Sequence, residues 1–389
     1  MTEQLASVAF IHDTVDNACI QFSDAPGAGH GGASFVGGFV PSAADQFQPL
    51  RQTRDRRPAD AFVQDAKYDF RMEGSYLYGG LIYSHFGHIM SEMIHRVLTT
   101  RRHFRERPWI FVGLQKATPI LGYHHLPSSF KAALDFLNVA KENVLCLHAH
   151  AQIETLSITE QGSDFAGGPK PGYLELLKAH SECRLDAMFR MGSPYRLLYV
   201  SRSNLPHGGS FLGERYLEKH LVAEGYEIFH PEDHTLAWQM EVYRRAEIVI
   251  FPEGSACHGT ELLGDKMLGT CVFVERRSSH RRVFHNVLNP RARNFIALEG
   301  FPQLGSASRH PVTGALSEHA GVWAYDTERL VASLRQHGIA RLPQFSKAEY
   351  LEQCRQDLEE YLARFRDPQI PAMDEDVFRS IYSALGRLY

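Results

Sequence analysis

The stretch that decides the fold is residues 196–264, which read RLLYVSRSNLPHGGSFLGERYLEKHLVAEGYEIFHPEDHTLAWQMEVYRRAEIVIFPEGSACHGTELLG. Short apolar runs such as Leu197–Val200 and Ile248–Phe251 alternate there with amphipathic segments of about ten residues. This alternation is typical of parallel strands joined by helices, in a sheet that is covered on both faces. The sequence therefore predicts an α/β fold for this part of the chain.

Two polar segments follow strands of this predicted sheet. Ser201-Arg202-Ser203 comes directly after the run that ends at Val200, and Glu253-Gly254-Ser255-Ala256 comes after the buried run at 248–251. Ligands of open α/β sheets bind beyond the carboxyl ends of the strands. The two segments therefore predict a binding site.

The residue types at these positions favour an anion. The planar guanidinium of Arg202 fits a phosphate or carboxylate bidentately, although a surface salt bridge is an equal alternative. Gly254 allows close backbone approach, and the amides of Ser255 and Ala256 open a helix whose dipole favours negative charge. A plain strand-to-helix turn is the alternative for this second segment.

Two further residues extend the candidate site. Glu253 would repel a phosphate, so its carboxylate suits the hydroxyl groups of a ribose or hexose instead. His258 lies five residues further on and is expected to contact the same ligand, unless it is a packed helix residue.

A second cluster lies near the amino terminus, on a predicted helix that opens at His85. His88, Glu92 and His95 share one face at positions i, i+4 and i+7. A general base at His88, oriented by Glu92, is the functional interpretation, and Gly87 would leave room for a substrate. A metal site is a weaker alternative because no HExxH motif is present, and a plain polar stripe is the third interpretation.

Composition bounds the class of protein. The 389 residues suit two domains, and 44% hydrophobic with 22% charged residues is ordinary for a soluble globular enzyme. The net charge of −4 gives no reason to expect a nucleic-acid partner. Six scattered cysteines without a CxxC pair indicate reduced thiols in a cytosolic protein. No secretory signal and no apolar stretch long enough to span a bilayer is recognised, so the protein is expected to be soluble or to rest on a membrane surface.

The pattern along the chain predicts three parts: an acceptor-side α/β domain at 1–190 with an irregular arm at 1–60, a second α/β domain at 191–345, and carboxy-terminal helices at 346–389. Ser346 and Glu349 form a capping box, and the apolar stripe of the helix that they open is expected to pack back on the first domain. The predicted strands are Ser75–Tyr83, Trp109–Gly113, Asn143–Leu147, Gln152–Ile158, Leu197–Val200, Ile248–Phe251 and Thr270–Glu275.

For each of two charged runs, the favoured interpretation assigns no functional role. The basic run Arg276–Arg282 follows the last predicted strand and is taken as a solvated loop, with contact to a diphosphate or an acidic acceptor as the alternative. The acidic run Asp374–Asp376 is taken as charge at the start of a helix, because it does not follow a central strand.

Several of these segments, taken in order, resemble glycosyltransferase family 61. The family motif Asn-Phe-x-His-x-x-x-Glu is similar to the segment Ser84-His-Phe-Gly-His88-Ile-Met-Ser-Glu92, in which the opening asparagine is displaced. Many members carry His-Gly-Ala where this chain has Glu253-Gly254-Ser255, so a phosphate-binding histidine is not carried over to position 253. The other matching segments are Val200-Ser-Arg202, Gly225-Tyr226-Glu-Ile, Leu236-Ala-Trp-Gln239 and Ala246 through Ala256.

The resemblance implies a GT-B-like architecture, in which two Rossmann-like domains face a cleft. It also implies an inverting glycosyltransferase that needs no metal and no other cofactor. His88 and Glu92 are then the expected catalytic residues. The expected donor-binding residues are Arg202, Gln239, Glu253, Gly254, Ser255, Ala256 and His258.

Taken together, the sequence predicts transfer of a sugar from a nucleotide-sugar donor to a glycan or glycolipid hydroxyl. The expected setting is the biosynthesis of a polysaccharide (capsule, exopolysaccharide or O-antigen), in the cytoplasm or peripherally at the inner face of the membrane. The alternative from another class is a non-catalytic protein that binds a nucleotide or sugar phosphate.

Overall fold

A computed structural model describes most of the chain. The described residues are 10–22, 35–40, 60–61, 67–113, 117–189, 195–205, 209–309, 314–363, 365 and 375–388. Two main sheets with flanking helices make up the structure, which confirms the mixed α/β fold class.

The strands divide at residue 190 into two groups. Those before it are β1 (His12–Gln21), β2 (Phe35–Val36), β3 (Gly38–Val40), β4 (Asp60–Ala61), β5 (Phe70–Leu81), β6 (Trp109–Val112), β7 (Ile120–Gly122), β8 (Val144–Leu147), β9 (Ala151–Thr159), β10 (Ser163–Asp164) and β11 (Gly168–Pro169). Those after it are β12 (Leu197–Val200), β13 (Ser210–Leu212), β14 (Glu227–Phe229), β15 (Ile248–Pro252), β16 (Leu268–Val274), β17 (Ala292–Leu298), β18 (Gln303–Gly305) and β19 (Val322–Ala324).

The helices alternate with these strands. They are α1 (Phe86–His88, Ile89–Met93 and Ile94–His103 in succession), α2 (Ser128–Phe136), α3 (Tyr173–Met188), α4 (Glu214–Ala223), α5 (Leu236–Arg245), α6 (Ser255–Gly259), α7 (Arg281–Leu288), α8 (Thr327–Gln336), α9 (Lys347–Ala363) and α10 (Glu375–Gly386). Short 3-10 turns lie at Tyr123–His125, Lys141–Asn143, Pro231–Asp233, Thr260–Leu262, Ser278–His280, Asn289–Arg291 and Glu318–Ala320. Each predicted strand is present, with ends that differ by a few residues.

The second sheet is entirely parallel and has the order β14-β12-β15-β16-β17. Its strands are nearly continuous apolar runs because helices bury both of its faces. Numbered from β12, the order is 2-1-3-4-5, which reverses direction between β12 and β15. Loops at such a switch point diverge and leave a crevice for a ligand. The segments at 201–203 and 253–256 follow these two strands.

The first sheet has seven strands in the order β3-β1-β9-β5-β6-β8-β7. Its centre, β9-β5-β6-β8, is parallel, and β1, β3 and β7 add antiparallel edges. The chain passes from β5 outward to β6 and β8 and then returns to the other side of β5 as β9. The switch point of this sheet therefore lies between β5 and β9, and α1 begins a few residues after β5 ends.

The prediction of an irregular arm at 1–60 is wrong where the structure describes it. Strand β1 pairs with β9 from His12 to Ile20 and also with β3. Asp and Asn disfavour strands, and this one contains Asp13, Asp16 and Asn17. Asn17 has a φ of 51° and interrupts the register with β9. Pairing on both sides outweighs these local preferences.

The carboxy-terminal helices do not pack on the first sheet as expected. Helix α9 lies against α4 and β13, and α10 against β18, so both cover the second half of the structure. Tyr350, Leu358 and Leu362 of α9 are buried in one core with Tyr199 and Ile250 of the second sheet. The apolar stripe was identified correctly, but a stripe does not specify its partner.

The predicted capping box at α9 is only half formed. The backbone N–H of Glu349 donates to Ser346 Oγ at 3.4 Å, while the Glu349 carboxylate accepts from the Tyr216 hydroxyl at 2.9 Å. Tyr216 also accepts from the backbone N–H of Ser346. In a complete capping box the Glu349 carboxylate would accept from the backbone N–H of Ser346. Here the Tyr216 hydroxyl bonds to both groups instead.

Two apolar cores hold the molecule together. One extends from the first sheet through α1, α2, α3, α5 and α7 to one face of the second sheet. The other fills the opposite face of the second sheet, under α4, α8, α9 and α10. All six cysteines are free, four of them buried, and no helix among the described residues has the length and apolar character that a bilayer crossing requires.

Candidate functional site

A cleft of about 860 Å³ lies between the two main sheets. Its second-sheet wall consists of the loops after β12, β14 and β15, which is where parallel strands of such sheets present ligands. The opposite wall comes from the start of α1 and the start of α2. The lining residues are His85, Phe86, Ser128, Ser129, Ala132, Ser201, Arg202, Asn204, Leu205, Pro231, Glu232, His234, Thr235, Leu236, Gln239, Ser255 and Ala256.

Arg202 and the loop at Gly254 are in direct contact, as the strand order requires. A Cβ built on Gly254 would lie 2.0 Å from Nη1 of Arg202, so the guanidinium packs directly on this glycine. Arg202 is 8% exposed and donates through Nη2 to the carbonyl of Gly209 at 2.9 Å. Gly254 has an extended φ of −179°, so it is space for Arg202, and not backbone strain, that requires glycine here.

Ser255 and Ala256 line the cleft beside Arg202, at the start of α6. The structure thereby brings together the two polar segments that the sequence singled out. Arg202, Gly254, Ser255 and Ala256 form one continuous surface at the switch point of the second sheet. We call this surface the donor wall.

Glu253 has a different environment from the one expected. Its side chain is fully buried, and it accepts bonds from the backbone N–H groups of Arg276 and Arg277 and from Nε of Arg277, at 2.8, 2.7 and 2.6 Å. Burial opposes the charged form, but Arg277 and Arg276 outweigh it and lower the pKa of Glu253 below its ordinary value. The carboxylate therefore fixes the loop after β16 and does not face the cleft.

Gln239 also supports a neighbouring loop. Its amide nitrogen donates to the carbonyl oxygens of Pro231 and His234, at 2.7 and 3.1 Å. These bonds hold the turn at Pro231–Asp233, which lines the cleft after β14. Gln239 itself lines the cleft as well.

The basic run at Arg276–Arg282 is not simply a solvated loop. Arg276 and Arg277 are 5% and 9% exposed, and the Arg276 guanidinium lies 4.8 Å from the ring centroid of Trp323. Burial, together with the charges of Arg202 and Arg277, lowers the pKa of Arg276 to about 9. Arg202, Arg276 and Arg277 are therefore close enough to interact, and the Glu253 carboxylate offsets part of their positive charge.

His88 and Glu92 form the pair that their spacing predicted. Nδ1 of His88 donates to Oε1 of Glu92 at 2.6 Å, and the Tyr83 hydroxyl donates to the other carboxylate oxygen at 2.9 Å. Glu92 is 3% exposed, and the His88 side chain is 18% exposed. The bond at Nδ1 leaves Nε2 as the proton-accepting nitrogen, and among the described residues nothing hydrogen-bonds to it.

Helix geometry and neighbouring rings hold the His88 imidazole in place. The segment Ile89–Met93, which carries Glu92, is π-helical, a distortion that is frequent at functional sites. The rings of Tyr83 and Phe165 lie on His88 at centroid distances of 5.6 and 6.0 Å, with interplanar angles of 26° and 27°. Phe165 lies in the turn between β10 and β11, where no sequence pattern indicates a site residue.

Gly87 serves a different purpose from the one expected. A Cβ at this position would lie 3.1 Å from Cε1 of His85 and 3.4 Å from Cδ2 of His258. The glycine therefore allows His85 and His258 to approach α1. The imidazole of His258, which follows a strand of the second sheet, consequently lies against Gly87. His95 is not on the cleft, because it is buried and bonded to Glu261 and Tyr173.

The site residues that sequence reasoning missed are those that tertiary structure alone brings near. Tyr83 lies nine residues before Glu92, Phe165 lies in a turn between two later strands, and Glu261 lies 166 residues after His95. Tyr83 ends the predicted strand that precedes the helix of His88. This position in the chain was the one sequence signal that Tyr83 lies near the site.

The acidic run at Asp374–Asp376 lies far along the chain, at the start of α10. Glu375 and Asp376 both pair with Arg379, each at 3.0 Å, which agrees with their interpretation as helix-terminus charges. Asp374 lies outside the described residues.

Comparison with known proteins agrees with this geometry. Residues 86–272 match the family model described as Glycosyltransferase 61, a span that begins at α1 and ends within β16. It includes His88, Glu92, Arg202 and the loop at 253–256. No curated protein is similar enough to the chain to match it. The chain thus carries a glycosyltransferase 61 domain, and this domain marks the protein as a glycosyltransferase.

Proposed function

We propose that this protein transfers a sugar from a nucleotide-sugar donor to a hydroxyl group of a glycan or glycolipid, with inversion and without a metal ion. The observation that carries the proposal is the cleft, which has Arg202 and the start of α6 on one wall and the start of α1 on the other. Polysaccharide biosynthesis, such as that of capsule, exopolysaccharide or O-antigen, is the proposed setting.

The donor is proposed to bind with its diphosphate on the donor wall. Arg202 supplies a charged fork, and the amides at the start of α6 add donors beneath it. Gln239 and Glu253 act indirectly, because each holds a loop that borders the wall. The nucleoside is proposed to extend toward the turn after β14, where Asn204, Glu232 and His234 line the cleft.

The acceptor is proposed to bind against α1 and α2, with its hydroxyl directed at His88. Nε2 of His88 takes the hydroxyl proton as the oxygen attacks the anomeric carbon, which develops oxocarbenium character. Glu92 stabilises the imidazolium that forms, and the Tyr83 hydroxyl fixes Glu92. An attack from the wall opposite the diphosphate inverts the anomeric centre.

Charge from arginine replaces charge from metal in this proposal. Leaving-group departure places negative charge on the diphosphate, and preorganised cations at the donor wall stabilise it. Arg202 is part of the wall, and Arg276 is close enough that the charge of Arg202 helps to lower the pKa of Arg276. A divalent ion would then be dispensable.

The arrangement of domains belongs to the same proposal. We divide the chain into an acceptor-side domain at 1–190, a donor-side domain at 191–345 and carboxy-terminal helices at 346–389 that extend the donor-side domain. A GT-B-like arrangement, with a cleft between two parallel sheets, is consistent with the strand orders and with the position of the cavity. We place the protein in the cytoplasm, in solution or at the inner membrane surface.

The test is transfer from a panel of nucleotide sugars to oligosaccharide acceptors, with and without a chelator, with product configuration read by NMR. The proposal expects one donor to be used, inversion at its anomeric carbon, and unchanged turnover in chelator. Retention of configuration, or loss of all turnover in chelator, would contradict the proposed mechanism. Nucleotide binding without turnover on any acceptor would contradict the proposed reaction.

A further inference from the structure

A second imidazole–carboxylate pair lies beside the cleft, on the second-sheet side. Nδ1 of His258 donates to Oε1 of Glu261 at 2.8 Å, one turn along the chain. The His258 side chain is 13% exposed and that of Glu261 is 4% exposed. The pair repeats the construction of His88 with Glu92, but it comes from the opposite wall.

A buried network fixes the charge state of Glu261. Nε2 of His95 donates to the second carboxylate oxygen of Glu261 at 2.9 Å, and the Tyr173 hydroxyl lies 3.0 Å from Nδ1 of His95. Burial lowers the pKa of His95, so it is neutral and the Tyr173 hydroxyl donates to it. Burial opposes ionisation of Glu261, but the bonds from His258 and His95 outweigh it and lower its pKa to about 2.

Geometry directs the other nitrogen of His258 away from this network. Nδ1 is bonded to buried Glu261, so Nε2 lies on the opposite edge of the ring, and among the described residues nothing hydrogen-bonds to it. The ring lies against Gly87, immediately before His88, and two residues after Ala256 of the donor wall. His258 therefore lies against Gly87 of α1 and on the same short helix as Ser255 and Ala256 of the donor wall.

We propose that His258 is a second catalytic imidazole, which donates a hydrogen bond from Nε2 to the departing phosphate oxygen. This inference rests on the proposed function. The bond from the anomeric carbon to the acceptor oxygen forms while the bond to the phosphate oxygen breaks. The acceptor proton moves to His88, and the electron pair of the broken bond stays on the diphosphate, where protonated His258 stabilises it.

Glu261 makes this role chemically reasonable. With Nδ1–H directed at a carboxylate, the ring can carry a second proton on Nε2, and only then does Nε2 donate. The charged or titratable groups next to this pair among the described residues are Glu261 at Nδ1 of the ring, His85 just before α1, which lies against the same glycine, and Arg291 in the turn after α7, which interacts with Glu261. Glu261 is the one that hydrogen-bonds to the ring.

His95 and Tyr173 act as positioning residues for this pair. His95 lies on α1, Tyr173 on α3, and Glu261 directly after α6, so the network ties the donor side to the helix that carries His88. All three side chains are almost fully buried. The network therefore links the helix that carries His258 to the helix that carries His88.

Two substitutions separate the hydrogen bond from the bulk of the ring. In His258→Gln the side-chain amide can place a permanent donor near the position of Nε2, whereas in His258→Asn it can bond to Glu261 but cannot reach the substrate. We expect His258→Asn to lose about 10²-fold in kcat, the usual cost of one such donor, and His258→Gln to lose less than tenfold.

The pH profile gives a second readout. In both His258 variants the dependence of kcat on pH should differ from that of the wild type, because each substitution removes the ring that is proposed to donate. His285→Gln is the matched control, because His285 also faces a carboxylate, that of Glu299 at 3.4 Å, whereas the ring that lies against Gly87 is that of His258; its profile should equal that of the wild type.

The outcomes separate the inference from the function on which it rests. If the wild type transfers no sugar, the proposed function itself is contradicted. If the wild type is active and His258→Asn keeps its kcat, or if the Asn and Gln variants lose equal activity with an unchanged pH profile, His258 is only a structural residue and the inference is overturned.

Discussion

At the scale of single residues, the account depends most on His88. Its ring is held by Glu92 and Tyr83 and is bounded by aromatic rings, so it is preorganised to accept a proton at Nε2. A positioned general base contributes about 10²–10⁴-fold in rate. We therefore expect His88→Ala to lose turnover by about that factor while the affinity for nucleotide stays nearly constant, as measured by steady-state kinetics and by titration calorimetry.

Glu92→Gln tests the same residue pair with a milder substitution. Glutamine keeps the shape and can accept the bond from Nδ1, but it cannot stabilise the imidazolium by charge. Its loss should therefore be smaller than that of His88→Ala. A His88→Ala variant that keeps its turnover would mean that the base lies elsewhere.

The contact between Gly254 and Arg202 gives a second test at this scale. A methyl group at position 254 would meet the guanidinium at 2.0 Å and displace it, although the extended backbone there tolerates alanine. We expect Gly254→Ala to weaken binding of a nucleoside diphosphate by about tenfold or more, the cost of one charge-assisted bond. Gly122→Ala is the control, because its Cβ would meet nothing within 4 Å. Equal affinity in the two variants would separate Gly254 from the donor site.

Residue pairs within one helix were predictable, and pairs across the fold were not. The spacing of His88 and Glu92 was sufficient, because helix geometry alone places i and i+4 on one face. Glu253 was misjudged because its partners, Arg276 and Arg277, follow a different strand. His95 was assigned to the same face as His88, yet its partners on α3 and after α6 hold it in the core.

At the scale of elements, helix α9 contributes many buried side chains to the apolar core of the second half of the molecule. Leu358 is fully buried between α9 and the second sheet. Leu358→Ala should cost about 2–5 kcal/mol of the free energy of unfolding, because it leaves a cavity in a packed core. Urea denaturation measures this cost, and Leu316→Ala, at a site that is 47% exposed, should stay within about 0.5 kcal/mol of the wild type.

The location of that loss is as informative as its size. Hydrogen exchange should accelerate in β13 and α4, which contact α9, and should be unchanged in the first sheet. Faster exchange confined to the first sheet would support the original expectation that the helix packs there.

The start of α4 carries a carboxyl group whose protonation is linked to stability. Burial, with a smaller contribution from Glu218, raises the pKa of Glu214 from 4.5 to about 7. The folded state thus binds this proton more tightly, so its stabilisation is complete below about pH 4.5 and is lost as the pH rises through 7. The shift corresponds to about 3 kcal/mol.

Glu214→Gln should remove this dependence. Glutamine can still accept from the Tyr199 hydroxyl and from the backbone N–H of Arg202. Unfolding free energies between pH 5 and pH 8 should therefore fall less in Glu214→Gln than in the wild type, and exposed Glu328→Gln should behave as the wild type does. A wild-type slope that persists in Glu214→Gln would assign it to other groups.

Strands and helices were largely predictable because their signals are local. The apolar runs at Leu197–Val200 and Ile248–Phe251 are strands because both faces of a parallel sheet are buried. The surface on which an apolar stripe packs depends on the tertiary structure and not on the stripe itself. The stripe of α9 was predicted correctly, but it packs on the second half of the structure and not on the first sheet. Strand β1 was missed because pairing on two sides outweighs the low strand preference of Asp and Asn.

At the scale of the whole molecule, the two sheets meet with their switch points toward the cleft region. The second sheet contributes Arg202 and the start of α6, and the first contributes α1, which carries His88. A continuous apolar core joins the sheets beside this region. Sugar transfer needs a diphosphate site and a base on opposite sides of one anomeric carbon, and we propose one wall of the cleft for each.

The binding of a nucleoside diphosphate to the wild type and to Arg202→Ala, by titration calorimetry in a chelating buffer, tests the central claim most directly. Loss of one charged bond costs on the order of 1.5–3 kcal/mol, so the account predicts about ten- to a hundredfold weaker binding in the folded variant, with no metal required for either protein. Equal affinity of the two proteins, or binding by the wild type that depends on a divalent ion, would contradict the account.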